Sequence, residues 1–225
     1  YDETRNMLMQ EFSDITIVNN IVEQIASGNN TLNTIAGKIG EKEPTVLYSL
    51  DKLISVGLVE KKKCITEEKN KKKTQYVLKD YMFKFWYEFI PKATSVIEIG
   101  QGEIYYQKAV KPILHSFMGT VFEDMCRYYT LKNGIIGEYG CFITSVGTWW
   151  GVENIKDKYG NMRTQSVDID VVALSEVDKK ALVGECKFKN EKIDKSIYET
   201  LVSRGKLLPA KYKVSKYILF SLAGY

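Results

Sequence analysis

Three side chains in the second half of the sequence have the types and spacing that suit a divalent metal ion. They are Asp170 and, after an interval of 14 residues, Glu185 and Lys187. Two carboxylates and a peptide carbonyl can hold Mg²⁺ in octahedral geometry. A bound metal polarises a phosphate and lowers the pKa of its water, while a lysine beside it neutralises charge developing in the transition state. The pattern therefore indicates a metal-dependent phosphodiesterase site.

Two predicted strands position these side chains. Residues i and i+2 of a strand share a face, so Asp168 and Asp170 are predicted to point the same way, as are Glu185 and Lys187. Cys186 is predicted to face the core on the opposite side. Asp170 precedes Val-Val-Ala-Leu, and carboxylates on so apolar a strand are costly unless that end opens into a polar cleft. A solvent-facing sheet edge with an ordinary Glu–Lys ion pair is the alternative interpretation.

The elements around this site follow an α/β pattern. A long helix is predicted over residues 108–131, ended by Gly134 and Gly137. Short segments then alternate, with a helix near 193–207 among predicted strands at 141–144, 148–152, 166–174, 181–188 and 216–222. Helix, several strands, helix and strand indicate a sheet domain.

The first half of the chain has a different pattern. Residues 14–78 are predicted to form three amphipathic helices closed by a hairpin. Thr31 is placed to cap the second helix, and Pro44 lies in the first turn of the third. The hairpin strands fall at 58–61 and 76–78. This order is typical of the winged helix, a helix-turn-helix variant.

Positive charge is concentrated at the tip of this hairpin. Residues 1–60 carry a net charge of −5, whereas residues 61–73 carry +5. Phosphate affinity comes from positive charge, and the third helix has a single basic residue, so this domain is expected to bind DNA weakly through its wing, or to bind protein. The predicted nucleic-acid contacts are Lys61, Lys62, Lys63, Lys71, Lys72, Lys73, Thr45, Tyr48 and Lys52.

The rest of the composition excludes several other classes. The four cysteines are widely spaced and there is one histidine, so a zinc cluster is not expected. We expect the cysteines to be reduced thiols in a cytoplasmic protein. No apolar run approaches the roughly 20 residues that a membrane span needs. Neither a signal peptide nor a membrane partner is therefore expected. Because the first residue is Tyr1 rather than methionine, we expect a piece of a longer protein.

The D-x₁₄-E-x-K pattern, following a helix that bears Glu123, resembles the PD-(D/E)xK nuclease superfamily. Archaeal Holliday-junction resolvases and restriction endonucleases belong to that superfamily. The resemblance implies that Asp170 and Glu185 are metal ligands, that Lys187 is the catalytic lysine and that Glu123 is the helix acid. Asp168 falls where relatives carry a further acid of the metal site. Mg²⁺ or Mn²⁺ would be the cofactor.

Nearly the whole chain is similar to the C-terminal region of archaeal-type P-loop ATPases. That region is a winged helix followed by segments found here in order as DYMFKFWYEFI, MGTVFEDMCRYY, TWWG, DIDVVAL, GECKFK and YILFS…GY. The sequence contains no G-x-x-x-x-G-K-[ST], so this chain alone is not expected to hydrolyse ATP. The resemblance implies that ATP would act only through the ATPase domain of a full-length chain.

Together these observations predict two domains and a fold of the α+β or α/β class. Residues 1–90 would form the winged-helix domain with an aromatic linker helix at 79–90. Residues 91–225 would form a PD-(D/E)xK nuclease-like α/β domain with a central mixed sheet. The expected function is a metal-dependent DNA nuclease, a DNA-associated module of the ATPase. The alternatives are a catalytically degenerate module that binds DNA or protein for the ATPase, and a transcription regulator. The sequence leaves homo-oligomer formation open.

Overall fold

The structure is a computed structural model that describes residues 15–67, 70, 73–156 and 160–224. These residues pack into two compact units. The first unit holds residues 15–62 and 73–113, and the second holds 63–67, 70, 114–156 and 160–224. The domain boundary between residues 90 and 91 stays a prediction.

The first unit begins with helices and a two-stranded sheet in the order that the sequence predicts. Its main elements are α1 (Ile15–Ala26), α2 (Leu32–Ile39), α3 (Glu43–Ser55), β1 (Val59–Lys63, within this unit to Lys62), β2 (Thr74–Leu78) and α4 (Tyr81–Phe89). The Thr31 side chain accepts a hydrogen bond from the Thr34 amide and so caps α2, as predicted. Gly40 ends that helix in the left-handed conformation, with φ of 73°.

One apolar core holds these elements together. Ile21, Ile35 and Leu50, one from each of the helices α1 to α3, are fully buried. Val59 and Tyr76 bring the hairpin onto the same core. After α4 the chain continues through short helical segments: Pro91–Ala93, α5 (Thr94–Glu98), α6 (Gly102–Tyr105) and a π-helical turn at Tyr106–Val110.

The second unit is a mixed sheet with helices. Its elements are α7 (Lys111–Ile135, within this unit from Leu114), β3 (Ser145–Lys156), β4 (Met162–Ser175), β5 (Lys180–Lys187), α8 (Lys195–Gly205) and β6 (Lys213–Ser221). In the described residues the strand order is β3-β4-β5-β6; β3–β4 and β4–β5 are antiparallel, and β5–β6 is parallel. The predicted mixed sheet is confirmed. No helix of the described residues is long and apolar enough to cross a membrane.

Two predicted boundaries in this unit are wrong. Gly134 does not break the long helix, which continues to Ile135. A Cβ at position 134 would overlap the Ile143 side chain, so this glycine permits close packing instead. The residues predicted as a strand at 141–144 are irregular, because Ile143 uses its amide to bond the Gly134 carbonyl. Gly137 follows the helix with φ of 82°, a conformation that favours glycine.

A β-bulge interrupts the β3–β4 ladder at Asp170. Gly147 pairs with Val172, but the next paired residues are Trp149 and Ile169. Two residues of β4, Asp170 and Val171, therefore lie opposite the single residue Thr148. Bulges of this kind bend a strand and redirect a side chain, and they are common beside active sites.

Candidate functional site

The strands β4 and β5 separate at the point where the predicted site residues lie. Their last paired residues are Val171 and Gly184. Beyond this pair the Asp170 side chain reaches towards β5, and its Oδ2 accepts a hydrogen bond of 2.8 Å from the Cys186 amide. A carboxylate thus takes the place of a backbone carbonyl where the ladder ends. The bulge and this bond hold the Asp170 carboxylate between the two strands.

The surroundings of Asp170 disfavour its charged form. Burial raises the pKa of this carboxyl, the charges of Glu185 and Glu123 raise it further, and the Cys186 amide opposes them only in part. The result is a pKa of about 7. A carboxyl group that shares its site with other acids gains most from a nearby cation. The electrostatics of this position therefore suit a metal ligand.

Glu185 and Lys187 lie beside Asp170, as the sequence predicts. The Lys187 ammonium is 2.6 Å from Oε1 of Glu185, and the two side chains are 31% and 13% exposed. Burial lowers the pKa of Lys187, but the hydrogen bond and charge of Glu185 and the charge of Asp170 outweigh it and raise the pKa above its ordinary value. Lys187 is therefore a charged group within a cluster of acids.

The helix acid Glu123 also belongs to this cluster. It lies on α7, and its charge is one of those that raise the pKa of Asp170. Arg127, one turn later, places Nη1 3.5 Å from Glu123 and makes a close ion pair with Asp124. The same Nη1 donates to the Asp170 carbonyl oxygen at 2.7 Å and to Oγ1 of Thr148 at 3.1 Å.

Arg127 is the residue that the sequence interpretation did not identify. It lies inside the quoted segment MGTVFEDMCRYY, four residues after Glu123 and three after Asp124. That spacing is the signal available in the sequence, although it is equally typical of surface ion pairs on helices. The contacts with Thr148 and Asp170 come from other elements and have no local signature.

Asp168 occupies a different position. Its side chain is 64% exposed, and Oδ1 lies 3.6 Å from the Arg204 guanidinium. Arg204 also donates to the Asp168 carbonyl oxygen at 2.9 Å. The positive charge of Arg204 also acts on the cluster, because it lowers the pKa of Lys187. The structure thus brings Asp170, Glu185 and Lys187 together and places Asp168 at their edge.

The donors available for a metal follow from this geometry. In the part of the chain that the structure describes, no group of three or more His, Cys, Asp or Glu side chains has metal-binding geometry. Asp170 and Glu185 supply two carboxylates of the type that Mg²⁺ and Mn²⁺ bind, and backbone carbonyl oxygens or water would complete the coordination. As predicted, Cys186 points away into the core, where it clusters with Cys126 and Val171.

Three of the predicted nucleic-acid residues, Lys61, Lys52 and Tyr48, contact other side chains. Lys61 forms a 2.9 Å ion pair with Asp51, and the Lys52 ammonium lies 4.5 Å from the ring centroid of Tyr48. Tyr48 is exposed and Thr45 is half-buried.

The remaining lysines of the predicted wing differ in what the structure shows. Lys63 is exposed, whereas Lys62 and Lys73 are half-buried. Lys71 and Lys72 lie outside the described residues. The DNA contacts proposed for the wing therefore stay predictions.

The chain is similar in sequence to proteins of unknown function. Residues 86–197, which include all four predicted catalytic residues, match the family model DUF234, described as archaea bacterial proteins of unknown function. Over 204 residues the chain is 29% identical to an uncharacterized protein of Methanocaldococcus jannaschii, covering 90% of this chain and 43% of that protein. The chain thus spans less than half the length of this relative.

A solved structure gives a further match. The E41A mutant of ZitR from Lactococcus lactis is 15% identical, with a TM-score of 0.30. The match covers 55% of this chain and 94% of that one.

Proposed function

We propose that the second unit is a metal-dependent DNA nuclease domain of the PD-(D/E)xK type. One observation carries this function: the carboxylates of Asp170 and Glu185 and the ammonium of Lys187 converge where β4 and β5 separate. Such a grouping of half-buried acids with one lysine is costly for a sheet unless it serves a charged ligand. The matching spacing in the sequence supports the same conclusion.

The residues would divide the chemistry between them. Asp170 and Glu185 would hold Mg²⁺ or Mn²⁺, which when bound supplies a Lewis acid and a water of lowered pKa. Lys187, kept charged by its neighbours, would contact a phosphate oxygen and offset negative charge in the transition state. Glu123 would complete the acidic surroundings from α7. Asp168 would contribute from the edge of the site, where Arg204 now pairs with it.

The first unit is, in this proposal, a winged helix that holds DNA or a protein partner. Its helices and hairpin occur in the winged-helix order, and α3 presents the exposed Tyr48 with Lys52 beside it. The resemblance to the C-terminal region of P-loop ATPases suggests an ATPase domain of the same full-length chain as a partner. ATP would then act only through that domain, in a cytoplasmic protein, and a homo-oligomer is compatible with this arrangement.

A degenerate nuclease fold is the second candidate, and a specific observation favours it. Two acids of the cluster have a cationic neighbour within the protein: Lys187 for Glu185 and Arg127 for Glu123. These cations neutralise the two acids without a metal. In this alternative the second unit binds DNA or protein for the ATPase and cleaves nothing.

Metal-dependent cleavage separates the two candidates. Wild-type protein is incubated with several DNA forms and Mg²⁺ or Mn²⁺, and thermal unfolding is followed with and without each metal. We expect cleavage and a metal-induced rise in Tm, both lost in Asp170→Asn. Asp194→Asn is the matched control, because Asp194 caps α8 and asparagine caps equally well. Absence of both cleavage and a Tm shift in the wild type would establish the degenerate module.

A further inference from the structure

The guanidinium of Arg127 is buried within the second unit, with only 10% of its side chain exposed. Nε donates to Asp124 at 3.1 Å, and Nη2 pairs with the same carboxylate. Nη1 points the other way, to the Asp170 carbonyl oxygen and Thr148 Oγ1. One side chain thus connects the helix α7 with both strands of the β3–β4 pair.

The two strand acceptors lie on opposite sides of the bulge. Asp170 is one of the two bulged residues of β4, and Thr148 is the single residue of β3 that opposes them. A bulge leaves backbone groups without ladder partners, and a buried carbonyl without a partner is costly. At 2.7 Å, Arg127 supplies that partner for Asp170. Its own burial is offset by the carboxylate of Asp124.

We propose that Arg127 is a positioning residue, which fixes the bulge and thereby directs the Asp170 carboxylate towards β5. The backbone of Asp170 is held from one side by Arg127, and its side chain is held from the other by the Cys186 amide. The effect of Arg127 on metal binding rests on the proposed function, whereas its effect on the position of Asp170 does not.

An arginine is required here because of its geometry. Its planar fork presents several N–H donors in fixed directions, so Asp124 and the bulge can be bound at once. A lysine has the same charge on a flexible stem, without the fork. Arg127→Lys therefore keeps the electrostatics of the cluster and removes the geometry.

Hydrogen exchange of the Cys186 amide reports on this positioning without metal or cleavage. The exchange rates of individual amides are measured by NMR in wild type and in Arg127→Lys, with global stability taken from denaturant unfolding. After correction for global stability, we expect the Cys186 amide to exchange roughly tenfold faster or more, the effect of losing one hydrogen bond to a charged group. The Leu182 amide, in the paired part of β5, should keep its protection. Arg163→Lys, an exposed substitution of the same kind on β4, should leave both amides unchanged.

The opposite result is equally clear. If Arg127 serves only as a buried ion pair, Arg127→Lys changes Cys186 and Leu182 by the same factor, and the positioning role is overturned. Should Arg127→Lys fail to fold, Thr148→Val decides the matter, because it removes one acceptor of Nη1 at nearly constant volume. Faster exchange confined to Cys186 in that variant supports the role, and unchanged exchange overturns it.

Metal titration keeps this result separate from the proposed function. In folded Arg127→Lys we expect Mn²⁺ to bind at least about tenfold more weakly than in wild type, by the same loss of a charge-assisted hydrogen bond. A wild type that binds no Mn²⁺ contradicts the nuclease assignment alone, and the exchange rate of the Cys186 amide still tests the positioning. A wild type that binds Mn²⁺, with unchanged affinity in Arg127→Lys, contradicts the positioning alone.

Discussion

Both ends of the β4–β5 pair carry acidic side chains, but their pKa values move in opposite directions. At the turn that joins the strands, hydrogen bonds from Tyr212 and Lys179, with the charges of Lys179 and Lys211, lower the pKa of Glu176 to about 2. The backbone amide of Phe142 likewise lowers the pKa of Asp178. At the open end, burial and the neighbouring acids raise the pKa of Asp170 to about 7.

The difference separates an end built for stability from the end that the proposed function assigns to a ligand. At the turn, exposed acids accept hydrogen bonds that favour the charged form, and the network is complete within the protein. At the open end, acids lie together where the charged form is disfavoured, so a bound cation or proton would reduce the repulsion between them. The same residue types thus serve a turn at one end and a candidate site at the other.

The largest expected effect is that of Asp170→Asn on stability at alkaline pH. The pKa of Asp170 is raised from 3.8 to about 7, so the folded state is favoured while this group is protonated, and that stability is lost as the pH rises from about 4 through 7. At about 1.4 kcal/mol per pKa unit, the buried anion costs up to roughly 4 kcal/mol above pH 7. Asparagine avoids this cost and can still accept from Cys186.

Urea unfolding across the pH range checks this expectation. Asp170→Asn should be more stable than wild type at pH 8, the difference should shrink at pH 5.5, and it should vanish near pH 4. A variant that is less stable than wild type at every pH would show that the open end is a structural network like the turn.

The next largest effect concerns the lysine of the cluster. Lys187→Met keeps a long side chain but leaves Glu185, which is 13% exposed, without its cation. Removing one partner of a mostly buried pair is destabilising, and partial exposure of Lys187 reduces this to roughly 1–3 kcal/mol. Lys195→Met breaks the exposed pair with Glu199 and should cost less than about 0.5 kcal/mol.

Denaturant unfolding of both variants at pH 7.5 gives the comparison. If the two substitutions cost the same small amount, Lys187 belongs to an ordinary surface pair. Loss of metal-dependent cleavage in Lys187→Met, with cleavage kept in Lys195→Met, would sharpen the assignment of the catalytic lysine.

Parts of the fold and site that depend on local pattern could be predicted from the sequence. Capping by Thr31 and the place of Pro44 in the first turn of α3 are set by neighbouring residues, so they could be predicted. Strand alternation likewise brings Glu185 and Lys187 together, because residues two apart share a face.

Other parts depend on contacts between distant segments. The bulge at Asp170 exists only in the register with β3, which no local pattern specifies. Arg127 is bound to Thr148, 21 residues away, and to the Asp170 carbonyl oxygen, 43 residues away. The predicted helix end at Gly134 failed for the same reason: the glycine is needed by the packing of Ile143.

A smaller effect is expected from the lysine-rich segment at residues 61–73, which carries a net charge of +5. Replacing Lys71, Lys72 and Lys73 with glutamine should weaken non-specific duplex binding. If each contacts a phosphate, the slope of log K against log salt falls by about 0.9 for each lysine. Titrations at several salt concentrations measure this slope. An unchanged slope would exclude this segment as the contact surface and leave binding to the second unit.

The smallest effect, and the one that completes the comparison, is Glu176→Gln at the turn. Glu176 accepts from Tyr212 and pairs with Lys179 at 2.9 Å and Lys211 at 3.5 Å. Its pKa is lowered from 4.5 to about 2, so its contribution is present above about pH 4.5 and is lost as the pH falls towards 2. Glutamine keeps the acceptor for Tyr212 but not the charge.

Because the Glu176 side chain is exposed, we expect Glu176→Gln to be slightly less stable than wild type at pH 7, and this difference to disappear near pH 2. The urea midpoint at both pH values measures it. The sign is opposite to that of Asp170→Asn. If Glu176→Gln instead stabilised the protein at pH 7, the two ends of the strand pair would be electrostatically alike, and the raised pKa would no longer distinguish the candidate site.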